Sequence, residues 1–196
     1  MRIVLAIALV LMLSSLAISA PESRQLGDYA VTFDLNTNLN YEVTVLEPAV
    51  TESVTITPLQ ISTDNTTEAT VIISEYNEPI DATLMPQKQI SVLTAALNLY
   101  NVTSVDDITV DGKEGFMVSA VPASFNTMVP ADLTRYEAVY WLDSEKCECG
   151  PVSVGTTSVT ITSTYPEDVT MNLINSLQIV KSGAAAASGV QIEPPA

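Results

Sequence analysis

The residues best equipped for chemistry in this chain of 196 residues are Cys147 and Cys149, separated only by Glu148. A lone close pair can close into a strained ring, bridge to another chain, stay as thiols or hold a soft metal. Two thiolates make half of a tetrahedral zinc site, and no other cysteine and no histidine exists to complete it. Glu148, with Asp143 and Glu145 close by, opposes thiolate formation and so opposes a reactive cysteine. A disulfide between Cys147 and Cys149, stapling one loop, is the leading expectation for the pair.

The absence of histidine removes the commonest general base and the commonest transition-metal ligand together. Ser-His-Asp and Cys-His engines are therefore excluded. Carboxylates remain as the chemical resource. A hydrolase built on them would need two facing carboxyl groups roughly 5 to 10 Å apart. Calcium would draw on Asp106, Asp107 and Asp111, or on Asp143, Glu145 and Glu148. An EF-hand loop from Asp107 fails, because its twelfth position is Val118 where a glutamate is required. No catalytic, cofactor-binding or metal-ligating residue is assigned on these grounds, and no cofactor is expected. Asn65-Thr66-Thr67 and Asn101-Val102-Thr103 are acceptor sequences for N-glycosylation at Asn65 and Asn101.

The charge balance sets the class of partner. With 23 acidic residues against 7 basic ones, the net charge is −16. Such a surface repels nucleic acid and anionic lipid. No run of acids is long enough to mark a disordered acidic tail.

Residues 1–19 read as a secretory signal peptide: Arg2, the apolar run Ile3 to Leu13, then small residues. The run is shorter than the roughly 20 residues of a spanning helix. Counting on to Ile18 would give an uncleaved anchor, so cleavage is the favoured of two readings. A cut after Ser19 is preferred, since a cut after Ala20 would place the rigid ring of Pro21 first. No lipid-accepting cysteine follows, and no second apolar stretch lies near Ala196. The expectation is a protein secreted to the exterior or envelope, with no stable membrane insertion after cleavage.

The elements that must position these residues are mostly strands. Two-residue alternation predicts strands over Tyr29–Leu35, Tyr41–Leu46, Ser53–Ile61 and Ala69–Tyr76. Asp111-Gly112 predicts a tight hairpin turn after Ile108-Thr109-Val110, with Lys113-Glu114-Gly115 widening it or carrying a bulge. Arg135–Leu142 and Ser158–Ser163 supply further strands. Ile90, Leu93, Leu97 and Tyr100 recur at helical spacing and predict a helix from Pro86 to Leu99. Pro166, Glu167 and Asp168 open a closing helix whose stripe is Val169, Leu173, Ile174 and Leu177. Residues 182–196, rich in glycine and alanine, read as a flexible tail.

Particular segments then resemble the PsbP-like family of oxygen-evolving-complex extrinsic proteins, their secreted prokaryotic relatives and a Ran-binding relative. They are Tyr29-Ala30-Val31-Thr32-Phe33, Val110 to Phe116, Glu137-Ala138-Val139-Tyr140, and Thr160 to Asp168 running into Leu173 to Ile179. The resemblance covers about 28–181 and implies one α+β domain, an antiparallel β-sheet with helices on both faces (an α/β/α sandwich). It implies a binding or assembly role without catalysis, and it transfers no site residue. The expected function is a non-enzymatic acidic domain of the cell exterior, binding an envelope protein or small ligand. The alternatives are a cation-binding structural envelope protein and a carboxylate-based hydrolase.

Overall fold

The computed structural model describes residues 21–63, 68–82, 99–146 and 153–182. The expected leader 1–19, Asn65, the 86–99 helix up to Asn98, Cys147, Cys149 and the tail beyond Ser182 lie outside the described residues.

Alternating burial shows why the described chain is mainly strand. In β5 (Val54–Ser62) Leu59 and Ile61 point inward between less buried neighbours, and in β6 (Glu68–Asp81) Ala69, Val71 and Ile73 do the same. That pattern suits a sheet with one face on the core. The other strands are β1 (Glu22–Leu26), β2 (Tyr29–Phe33), β3 (Glu42–Val45), β4 (Ala49–Val50), β7 (Tyr100–Val110), β8 (Lys113–Pro122), β9 (Arg135–Trp141), β10 (Glu145–Lys146), β11 (Ser153–Ser163) and β12 (Gln178–Lys181). A large sheet runs β3-β5-β6-β11-β9-β8-β7, with β4 added on β5 and β10 on β11. A small sheet runs β1-β2-β12, and every pairing is antiparallel.

Register carries the core straight across the large sheet. Met117, Ala138, Ile161, Val71 and Leu59 stand opposite one another in turn from β8 to β5. The small sheet contributes Val31, Phe33 and Ile179 to the same cluster. The single helix among the described residues, α1 (Glu167–Ser176), adds Val169, Leu173 and Ile174, and packs on β2 and β7. Pro166 precedes it, and Glu167 and Asp168 complement the positive end of its dipole. Leu177 ends it in extended geometry, and the chain passes directly into β12.

The α+β sandwich with helices on both faces is overturned. The described chain is a mostly antiparallel β fold, and its one helix lies with the small sheet against one face of the large one. Two added strands contribute to the change. Glu22–Leu26 forms a strand ahead of the expected start at Asp28, paired with β2 through the turn Gly27-Asp28. Gln178–Lys181, for which no strand was expected, follows the helix and pairs with β2, where its β-branched Ile179 and Val180 find ladder partners. Tyr100, the last member of the expected helical stripe, opens β7. The Asp111-Gly112 turn forms as expected, with φ of 51° and 71°. Two successive positive φ values are the type I′ requirement, which glycine meets without strain. Lys113 pairs directly with Val110, so nothing widens this turn; the irregularity in β7 falls between Val102 and Ser104.

Candidate functional site

Four element ends and the middle of a fifth strand converge at one edge of the gap between the two sheets. Tyr29 opens β2, Lys181 closes β12, Lys113 opens β8, Leu142 and Asp143 follow β9, and Thr156 and Thr157 lie within β11. They line a cleft of about 280 Å³. Its positions are fixed by register. Lys181 stands directly opposite Tyr29 in the small sheet, which brings its ammonium to 5.5 Å from the centre of the Tyr29 ring. The two-residue turn at Asp111-Gly112 makes Lys113 the first residue of β8, beside the same opening.

The acidic groups around the cleft are already engaged. Pairing of β11 with β6 shifts register between Gly155 and Thr157, and there the amides of Thr156 and Thr157 turn to Asp143. Asp143 Oδ1 accepts the Thr157 amide at 2.8 Å and the Thr156 amide at 3.1 Å, while Oδ2 accepts the Thr156 hydroxyl. Asp111 Oδ2 accepts the Ile179 amide at 3.3 Å and lies 3.7 Å from Lys113 Nζ. The Tyr29 hydroxyl donates to Glu75 Oε1 at 3.0 Å, tying the small sheet to the large one. Burial pushes the Tyr29 hydroxyl above its ordinary pKa and Glu75 adds to the rise, so it remains a donor at neutral pH. The lysines differ from the acids: Lys113 is about one-third exposed, and Lys181 has no carboxylate in ion-pair reach among the described residues.

A second recess of about 390 Å³ lies by Asp34, Asn36, Asn172, Asn175 and Ser176. Its polar groups hold α1 to the exit of β2: Ser176 Oγ accepts the Asp34 amide at 2.8 Å, and Asn172 Nδ2 donates to the Leu35 carbonyl at 3.3 Å. That recess is a joint rather than an open set of donors.

On the outer face of the large sheet, β9 carries Arg135, Glu137 and Trp141. Glu137 is only 6% exposed, its Oε2 is 3.7 Å from Arg135 Nε, and neither atom has a hydrogen bond. Burial holds the Glu137 carboxyl above its usual pKa, with Arg135 opposing the rise. Gly155 sits under Trp141, where any Cβ would run into the indole ring. The Trp141 Nε1 is also buried without an acceptor.

The residues picked out in the sequence fare unevenly. Asn101 is exposed on β7, the outermost strand of the large sheet, and Thr103 Oγ1 of the same acceptor sequence donates to the Ser119 carbonyl at 3.0 Å. Asp106 and Asp107 are neighbours on β7 and so project to opposite sides of it. Asp143 is committed to the Thr156 and Thr157 amides. Among the described residues, no three carboxylates gather in a group able to hold a metal ion. Tyr29, Lys113 and Lys181 escaped the sequence reading, because only the register of two different sheets brings them together. One signal was present: lysines are scarce in so acidic a chain, and each one asks for a reason. No known protein family, curated protein or solved structure matches this chain.

Proposed function

We propose that this chain is an exported, non-enzymatic acidic domain of the cell exterior or envelope, and that the cleft between its two sheets is where it binds. The observation that carries this reading is the meeting of Lys113 and Lys181 at one cavity. The basic side chains described are only Arg24, Lys113, Arg135 and Lys181; the first three lie beside Glu22, Asp111 and Glu137, and Lys181 has no carboxylate in ion-pair reach among the described residues. The leader supports the external setting. Support for a binding role comes from the acids: Glu75, Asp111 and Asp143 are each drawn into a hydrogen bond, so no opposed pair of free carboxyl groups faces the cavity. The resemblance to PsbP-like proteins agrees with a binding role and contributes no residue to the site.

A thermal-shift screen tests the reading, with fractions of the native envelope and small metabolites offered to the wild type and to Leu142→Trp. Leu142 lines the cleft and is half-buried, so the larger ring occupies the cavity. The expected result is a fraction that raises the Tm of the wild type alone. A ligand that stabilises both proteins equally places the site elsewhere.

A further inference from the structure

We infer that the cleft takes a small oxyanion, a phosphate or carboxylate group held between the ammonium groups of Lys113 and Lys181. This rests on the reading of the cleft as the binding site and names its ligand chemistry. Three observations lead there.

The first is hydrogen-bonding capacity. Asp143 receives two amides and a hydroxyl from Thr156 and Thr157, and Asp111 receives the Ile179 amide, so the acids near the cleft are consumed by the fold. The donors still open are those of the two lysines, and an anion there also meets the Asp143 carboxylate that lines the cleft. Lys113 meets only Asp111, lying 3.7 Å from its carboxylate and donating to its backbone carbonyl at 3.5 Å, and Lys181 has an aromatic ring in place of an acid. An ammonium carries three donors, and neither lysine uses its full set on the protein.

The second is preorganisation. The Tyr29 ring holds the Lys181 ammonium at 5.5 Å, and the Tyr29 hydroxyl is itself fixed by Glu75. Lys113 follows a two-residue turn that leaves its backbone little freedom. An ammonium held over a ring, as in Lys181, loses less entropy on meeting a ligand than a free one.

The third is size and field. A volume of about 280 Å³ equals that of about nine waters. It suits inorganic phosphate, a short dicarboxylate or one phosphorylated sugar. The protein's net charge of −16 opposes any anion approaching from a distance. Selection must therefore come from direct contact with the two ammonium groups.

Titration of the full chain at constant ionic strength, followed by amide NMR, tests this with inorganic phosphate and with succinate as separate probes. Saturable shifts at Tyr29, Lys113, Thr156 and Lys181 are expected with at least one probe. Saturation by phosphate alone assigns a phosphoryl group, and saturation by succinate alone a carboxylate. Lys113→Gln and Lys181→Gln are each expected to weaken binding about tenfold, the scale of one charged hydrogen bond. Arg24→Gln, whose partner Glu22 lies away from the cleft, should bind as the wild type does. Unchanged Tm values verify that the lysine variants fold. The inference falls if neither anion saturates, if the shifts map elsewhere, or if both lysine variants bind normally. Should neither anion bind while Leu142→Trp still blocks a neutral ligand, the oxyanion is refuted and the cleft stands.

Discussion

Strand β9 and the turn that follows it treat polar atoms in opposite ways. Five buried side-chain polar atoms among the described residues lack a hydrogen bond, and four of them belong to Arg135, Glu137, Tyr140 and Trp141 of β9. Asp143, two residues further on, is exposed and yet accepts from two amides and a hydroxyl. Burial and satisfaction are therefore separate properties here. The strand gains apolar packing from its large side chains and bears the desolvation of their polar tips. The turn gains little from burial and is held by directed bonds to a charged acceptor.

The contrast can be broken at the turn first. Asp143→Ala strips the acceptor from the Thr156 and Thr157 amides, and chemical denaturation should register a loss of about 3 kcal/mol. Asp143→Asn keeps one oxygen and should lose about half of that. On β9, Arg135→Met leaves the Glu137 carboxylate buried without its cation. A fully buried pair would cost more, but Arg135 is one-third exposed, so about 2 kcal/mol is expected at pH 7.

Glu137→Gln should act in the other direction, adding about 1 kcal/mol at neutral pH by removing a desolvated charge. Its pH dependence follows from the raised carboxyl pKa. The folded protein holds this proton more tightly than the unfolded chain does. The wild type is therefore penalised increasingly as pH rises from the ordinary carboxyl value through the folded one. The advantage of Glu137→Gln should be full above that window and vanish below it, as paired pH–denaturation series would reveal. The smallest effect is expected at Tyr140→Phe. The Tyr140 hydroxyl is buried without a partner and its pKa is driven up by burial and by Asp111. Its removal should raise stability by about 0.5 kcal/mol, read as a small increase in Tm.

Local chemistry made several elements legible in the sequence. Asp111-Gly112 announced its turn because positive φ leaves few alternatives. Val169, Leu173 and Ile174 announced the face of α1 by spacing alone. Gln178–Lys181 was not legible, since four residues carry no periodicity and only β2 makes them a strand. Glu22–Leu26 failed for a related reason: four of its five residues are polar or charged, and two of them, Ser23 and Gln25, are exposed. The candidate site was hidden more deeply. Asp143 looked like a free calcium-type ligand among acids, and only the shift of register near Thr157 shows it bound inward. Tyr29 and Lys181 lie at opposite ends of the domain in sequence and become neighbours through one antiparallel ladder.

The pairing of β6 with β11 has a consequence in time. It forms the seam at the middle of the large sheet, joining Ala69 to Ser163. During synthesis, β5 and β6 emerge long before β11 and must wait with one long edge unfilled. Contacts so distant in sequence close slowly. The first half of the sheet cannot commit until nearly the whole chain is available, and a chain read as destined for export would then still be threadable when it reaches the membrane.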